Sequence, residues 1–192
     1  MSRIVLASGS PRRQELLNRI GITDFDIRVP QTDEHYPAGL TPAQIVEYIS
    51  REKADAAAKL CTPEEIVITA DTMVFLDQQR LGKPKDEADA LRMLTALQGR
   101  EHQVLTAVWV CAPPVPGRPA SGGFVSRARV RFYPMSGREI GEYIATGEPM
   151  DKAGAYGIQG FGMRYIRDIS GDYYTVMGLP GARVRRFLRL FS

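Results

Sequence analysis

Ile4-Val5-Leu6-Ala7 runs straight into Ser8-Gly9-Ser10-Pro11-Arg12-Arg13. The first four residues read as a strand. Ser10 then stands where a helix N-cap belongs, Pro11 at the first helical position, and Gly21 where a C-terminal cap would end the helix. Strand, tight loop, helix is the opening unit of an α/β layer, and the chain keeps alternating in this way. Residues 26–29 read as a short strand, and Thr41 can cap a helix over residues 42–60. Residues 66–76 form a strongly apolar strand with Asp71 inside it, followed by a helix over 86–97. Residues 102–112 and 124–132 read as two long strands. The proline-rich stretch 113–119 between them is an exposed loop. Ser136 can cap a helix reaching residue 146, the glycine-rich segment 147–162 reads as an ordered loop, and a strand over 163–169 precedes a C-terminal helix over 180–191.

Bulk properties narrow the function class. With 192 residues, 44% of them hydrophobic, the chain can bury a sizeable core, so disorder is not expected. A net charge of +3 is too small to argue for nucleic acid, but it suits a binder of small anions if the cations converge. Cys61 and Cys111 have neither metal-ligand spacing nor histidines beside them, and read as free thiols in a reducing compartment. No stretch has the length of a membrane helix and no cleavage-like pattern follows Met1, which makes the cytoplasm the expected location. The last helix carries Val184, Phe187, Leu188 and Phe191 on one face and Arg183, Arg185, Arg186 and Arg189 elsewhere. Without interleaved aromatics those arginines read as a solvated face.

The informative residues are charges that periodicity puts on apolar faces. In the second helix Val46, Ile49, Ala57 and Leu60 form a stripe with Lys53 in its middle. A lysine can snorkel past apolar neighbours, yet a lysine facing a ligand would meet an anion there. Arg13 shares the inward side of the first helix with Leu16, Leu17 and Ile20, at an N-terminus whose free N–H groups already favour anions. Ser8, Gly9, Ser10, Arg12 and Arg13 together make a phosphate-suited loop, since arginine presents a rigid fork of donors. The glycine-lysine signature of a P-loop is missing. An ordinary capped helix with surface arginines is the competing reading.

Asp71 follows Ile66-Val67-Ile68-Thr69-Ala70, and a carboxylate in such a run is costly unless paired, hydrogen-bonded or bound to a cation. It could end the strand and cap a turn, or lie at a strand end where α/β sheets bind ligands. Asp33 and Glu34 supply further carboxylates, and Mg²⁺ is held by one or two carboxylates plus substrate phosphates. Lys83 in Gly82-Lys83-Pro84 adds a cation, with a plain surface lysine as the alternative. His35 reads as a surface residue and His102 as a packed one.

Taken together, Leu6-Ala7-Ser8-Gly9-Ser10-Pro11-Arg12-Arg13, Asp33-Glu34, Lys53-Ala54, Ala70-Asp71-Thr72 and Gly82-Lys83-Pro84 resemble, in order, the motifs of the Maf nucleotide pyrophosphatases. Gly99-Arg100, the run from Thr146 to Pro149, the run from Asp151 to Gly160 and Gly178-Leu179-Pro180 extend the resemblance across the chain. It implies one α/β domain over residues 1–192, with a central mixed, twisted sheet and a cleft between two lobes, as in inosine-triphosphate-type pyrophosphatases. It implies hydrolysis between the α and β phosphates with a divalent metal, Mg²⁺ or Mn²⁺. It makes Asp71 the general base, places Ser8, Arg13, Lys53 and Lys83 on the triphosphate, and gives Glu34, with Asp71, a role in holding metal or orienting water. A homodimer is implied by the same analogy.

The branch can be read from three positions. Arg12, Thr72 and Gln159 resemble the dTTP/UTP type, whereas the 7-methyl-GTP type tends to carry tryptophan, glutamine and glutamate there. A glutamine amide offers both donor and acceptor to a uracil or thymine edge. Thr106-Ala107, Asp172-Tyr173-Tyr174-Thr175 and Gly181 depart from the usual pattern, away from the phosphate motifs. Two alternatives stand beside this reading: a 7-methyl-GTP pyrophosphatase, and a nucleotide-binding regulator of septum formation.

Overall fold

The computed structural model describes residues 3–32 and 35–191. Among them β1 (Ile4–Leu6), α1 (Pro11–Arg19), β2 (Phe25–Ile27), α2 (Pro42–Ala58) and β3 (Ile66–Leu76) come first. They are followed by β4 (Gln79–Leu81), α3 (Glu87–Leu97), β5 (Glu101–Cys111) and β6 (Ser121–Phe132). Then come α4 (Gly137–Ile144), β7 (Ile166–Gly171), α5 (Tyr173–Met177) and α6 (Gly181–Leu188). The sheet has the order β2-β1-β3-β5-β6-β7, with β4 also paired to β3. It is mixed: β1 runs parallel to β2 and β3, while β4 is antiparallel to β3 and β7 to β6.

Most elements form for the reasons their residues supply. Thr41 and Ser136 each close a full capping box, with Gln44 and Glu139 as reciprocal partners. Asp86 lies just outside α3 and caps it by accepting from the Asp89 amide. Ser10 occupies the N-cap position of α1 without making a side-chain cap bond. Gly21 has φ +84°, which a glycine adopts at no steric cost, and closes the end of that helix.

Several expectations need correction. Leu60 is 53% exposed, because α2 ends at Ala58 before the stripe reaches it. The 147–162 segment is not plain loop: 3-10 helices occupy Glu148–Asp151 and Ala153–Ala155, and a third covers Phe161–Tyr165 and delays β7 to Ile166. The strand β4 and the short helix α5 were not expected from periodicity at all. Asp71 neither ends a strand nor caps a turn, since β3 continues for five residues beyond it.

The chain forms two compact units. One comprises Met1–Asp71, Thr106–Ser126 and Gly178–Ser192, the other Thr72–Leu105 and Arg127–Met177. Strands β3, β5 and β6 contribute residues to both. The first unit buries Leu6, Leu17, Ile49, Ile68 and Val184. Val184 and Phe191 of the C-terminal segment are buried while Arg183, Arg185, Arg186 and Arg189 are exposed, the amphipathic arrangement the sequence suggests. The second unit has its own core around Leu94, Leu97, Phe132, Tyr143 and Tyr156.

Candidate functional site

Asp71 lies on β3 between the stretches that pair with two other strands. Partners of β1 on β3 reach only to Ile68, and partners of β4 begin at Val74. The Asp71 segment lies between those two pairings, so a mid-strand carboxylate is left beside the C-terminal end of a parallel strand, where α/β sheets place ligands. Strand alternation turns Thr69 and Asp71 to one face and Thr72 to the other.

A buried polar pair sets α2 against that face. The Thr69 hydroxyl donates to the Ser50 carbonyl at 3.1 Å, and the Ser50 and Thr69 hydroxyls lie 3.5 Å apart. Both residues are fully buried, so this bond must form for the helix to dock. Lys53 follows Ser50 by three residues on the helix and Asp71 follows Thr69 by two on the strand. Their contact therefore repeats the Ser50–Thr69 contact one step along. Lys53 Nζ donates to Asp71 Oδ1 at 2.5 Å, with side chains 19% and 10% exposed. The pairing answers how a carboxylate is tolerated in so apolar a strand.

Arg13 is fixed from two sides. Its Nε donates to the Gly178 carbonyl and its Nη1 to the Ser8 hydroxyl, each at 2.9 Å. Ser8 also accepts from the Ser10 amide at 3.4 Å, which folds the loop over the start of α1. Burial lowers the Arg13 pKa, Asp71's negative charge opposes that, and Arg12's positive charge adds to it. Arg13 thus feels the charge of Asp71 on one side and of its chain neighbour Arg12 on the other. Lys53 and Arg13 set two cations by one carboxylate, beside a serine hydroxyl. Such a set neutralises an anion richer in charge than the carboxylate alone.

The structure thus brings Ser8, Arg13, Lys53 and Asp71 together in the first unit, with Arg12 next to Arg13 on α1. Thr72, partly exposed, Lys83, exposed, and Gln159, exposed, belong to the second. Asp33 and Glu34 lie outside the described residues, and no cluster of three or more histidine, cysteine or acidic residues that could hold a metal occurs among those described. His102 is packed, as expected: Nε2 lies 2.7 Å from the Tyr156 hydroxyl, and the ring meets Phe132 edge-on.

Sequence reasoning missed two contributions. One is the Gly178 carbonyl that holds Arg13, on a glycine whose φ of +115° leaves no periodic trace. The other is a carboxylate in the second unit, Glu148, which organises the loop bearing Gln159. It accepts from the Tyr143 hydroxyl at 2.8 Å, the Phe161 amide at 2.6 Å and the Gly162 amide at 3.1 Å.

Comparison with known proteins finds relatives along the whole chain. The family model described as Maf-like protein matches residues 3–191. A protein of Vibrio cholerae named dTTP/UTP pyrophosphatase is 47% identical over 191 residues, covering 100% of this chain and 99% of that protein. One of Symbiobacterium thermophilum with the same name is 48% identical over 194 residues, covering 100% and 95%. A third, from Bacillus pumilus, again named dTTP/UTP pyrophosphatase, is 42% identical over 192 residues, covering 100% and 98%.

Proposed function

The chain belongs to the Maf-like protein family, and from that membership we propose that it is a nucleoside triphosphate pyrophosphatase acting on dTTP and UTP. The observation that carries the proposal is the Lys53–Asp71 pair on β3, with an Arg13 that feels the same carboxylate and is oriented by Ser8 and Gly178. Relatives spanning the whole chain and named for dTTP and UTP support the choice of base over the 7-methyl-GTP alternative.

In this reading the phosphates lie over the Ser8–Arg13 loop, with their charge met by Arg12, Arg13, Lys53 and Lys83. Asp71 takes a proton from water as its oxygen bonds to the α-phosphorus. The bond from that phosphorus to the α–β bridging oxygen breaks, and pyrophosphate leaves with both electrons of the bond. Fixed cations that stabilise the developing charge supply most of the rate. Asp71 would offer a hard oxygen to Mg²⁺ or Mn²⁺, and Glu34 would be the second protein ligand. Such an ion, when bound, adds charge neutralisation at the phosphates. Thr72 and Gln159 are assigned to the nucleoside end. The reading includes a cytoplasmic location and a homodimeric working form; a purely monomeric protein in sedimentation would remove the latter.

The test is pyrophosphate release from dTTP, UTP, CTP, ITP and 7-methyl-GTP, each with and without Mg²⁺ or Mn²⁺. Selective, metal-dependent turnover of dTTP and UTP is expected. Asp71→Asn should lower kcat by at least ~10²-fold, the scale of general-base catalysis, while the far-UV spectrum stays that of the parent. A preference for 7-methyl-GTP would overturn the base assignment. Near-normal turnover by Asp71→Asn would overturn Asp71 as base, and no turnover of any nucleotide would favour a nucleotide-binding regulator.

A further inference from the structure

Building on the reading of Gln159 as the group that distinguishes bases, we propose that Glu148 and Tyr143 are its positioning residues: a carboxylate–phenol clamp that fixes the peptide on both sides of Gln159.

Gln159 is exposed, and side-chain packing does not hold it. Its backbone, by contrast, is tied on either side. Ahead of it, the Gly157 amide donates to the Tyr143 hydroxyl at 3.0 Å. Behind it, the Phe161 and Gly162 amides donate to the two different oxygens of Glu148, and the Tyr143 hydroxyl donates to one of these, Oε1. One network therefore collects three amides from a six-residue stretch whose only long polar side chain is Gln159. Tyr143, on α4, is 2% exposed, so the clamp is anchored in the core of the second unit.

The loop is drawn in as far as glycine allows. A Cβ on Gly160 would lie 2.1 Å from Glu148 Oε2, and one on Gly157 2.9 Å from Oε1. On Gly162 it would lie 2.5 Å from the Gly157 carbonyl and 2.6 Å from the Tyr143 hydroxyl. Backbone this close to a carboxylate cannot shift without breaking bonds. An exposed amide side chain on fixed backbone is what discrimination by hydrogen bonding requires, because a loose reader adapts to the wrong base.

Glu148 is charged in this setting. Burial works to raise its pKa, but the Gly162 amide, Tyr143 and the Phe161 amide outweigh it and hold the carboxyl below its usual range. The charge matters because every partner is a donor. A glutamine would present an NH₂ to one of them, so Glu148→Gln sets donor against donor while keeping the shape.

The experiment measures kcat and KM for UTP and CTP with the full chain and with Glu148→Gln, Tyr143→Phe and Gln159→Ala. We expect kcat/KM for UTP in Glu148→Gln to fall about tenfold more than for CTP, mainly through KM, as loss of a hydrogen-bonding reader does. Tyr143→Phe, which keeps both amide bonds to Glu148, should show a smaller shift of the same sign and serves if Glu148→Gln does not fold. Adding Gln159→Ala to Glu148→Gln should then cost little more, since coupled residues are not additive. Equal losses on UTP and CTP in the clamp variants, with Gln159→Ala alone shifting the ratio, would overturn the clamp and leave Gln159 as reader. An unchanged ratio in Gln159→Ala would overturn the reader and the clamp's purpose together.

Discussion

Arg13 is the residue whose geometry asks most of its side chain, for one guanidinium serves the Gly178 carbonyl and the Ser8 hydroxyl at once. A lysine has one nitrogen at the end of a flexible stem and cannot hold both directions. Arg13→Lys therefore keeps the charge and loses the orientation. At ~1.5–3 kcal/mol for a charged hydrogen bond, kcat/KM for dTTP should drop about ten- to a hundredfold. Steady-state kinetics would check this, and a loss below about twofold would mean that charge alone is needed. Arg13 and Lys53 could be singled out from sequence because each is a charge that helical periodicity sends inward, and Asp71 because it interrupts an apolar run. Glu148 could not be singled out on those grounds. It lies in a 3-10 turn with no apolar face to violate, and its partners become partners only when the 157–162 loop folds back.

Elements were legible where side chains carry their own signal. The capping boxes at Thr41 and Ser136 and the apolar run of β3 gave boundaries within two residues at those ends. The start of β6 shows the opposite case. The sequence places it at Phe124, yet the strand begins at Ser121, through a serine and two glycines with no strand preference of their own. The neighbouring strand β5 decides it. A Cβ on Gly123 would lie 2.1 Å from Trp109 Cε3 and 2.8 Å from the Val108 carbonyl, so the indole covers the place where a side chain would stand. Glycine here is a packing requirement imposed across the sheet. Gly123→Ala should then cost ~1–3 kcal/mol, the usual penalty of overpacking. Urea unfolding followed by fluorescence of the chain's one tryptophan reads both the stability and the ring's surroundings. An unchanged midpoint with an unchanged spectrum would show that Trp109 does not pack on Gly123.

At the scale of the molecule, folding fixes protons as well as contacts, and groups that titrate on the acid side shift the same way in both units. In the second, burial pulls the His102 pKa down to about 3. In the first, Arg28 donates to both oxygens of Glu65 at 2.6 and 2.7 Å and holds its carboxyl below the usual range. Glu148 and Glu139 are lowered too, the latter by the Ser136 amide. Each of these groups binds its proton more weakly in the folded chain than in the unfolded one. Their stabilisation is therefore complete above the unfolded pKa and is lost as pH falls toward the folded value. For His102 the loss begins near pH ~6.5, the unfolded histidine value, and for the glutamates near ~4.3. Stability should fall by ~1.4 kcal/mol per pH unit between about pH 6 and 4.5, the slope for a single proton, and then steepen as the carboxylates are protonated. His102→Phe should lower stability at neutral pH, because Tyr156 loses its partner, yet flatten the upper limb and leave the steep lower one. Unfolding free energies measured across this range in both proteins separate the two limbs. If the parent is flat from pH 6.5 to 4.5, His102 can take a proton without leaving the fold, and the aromatic cage of Phe132 and Tyr156 is not closed to water.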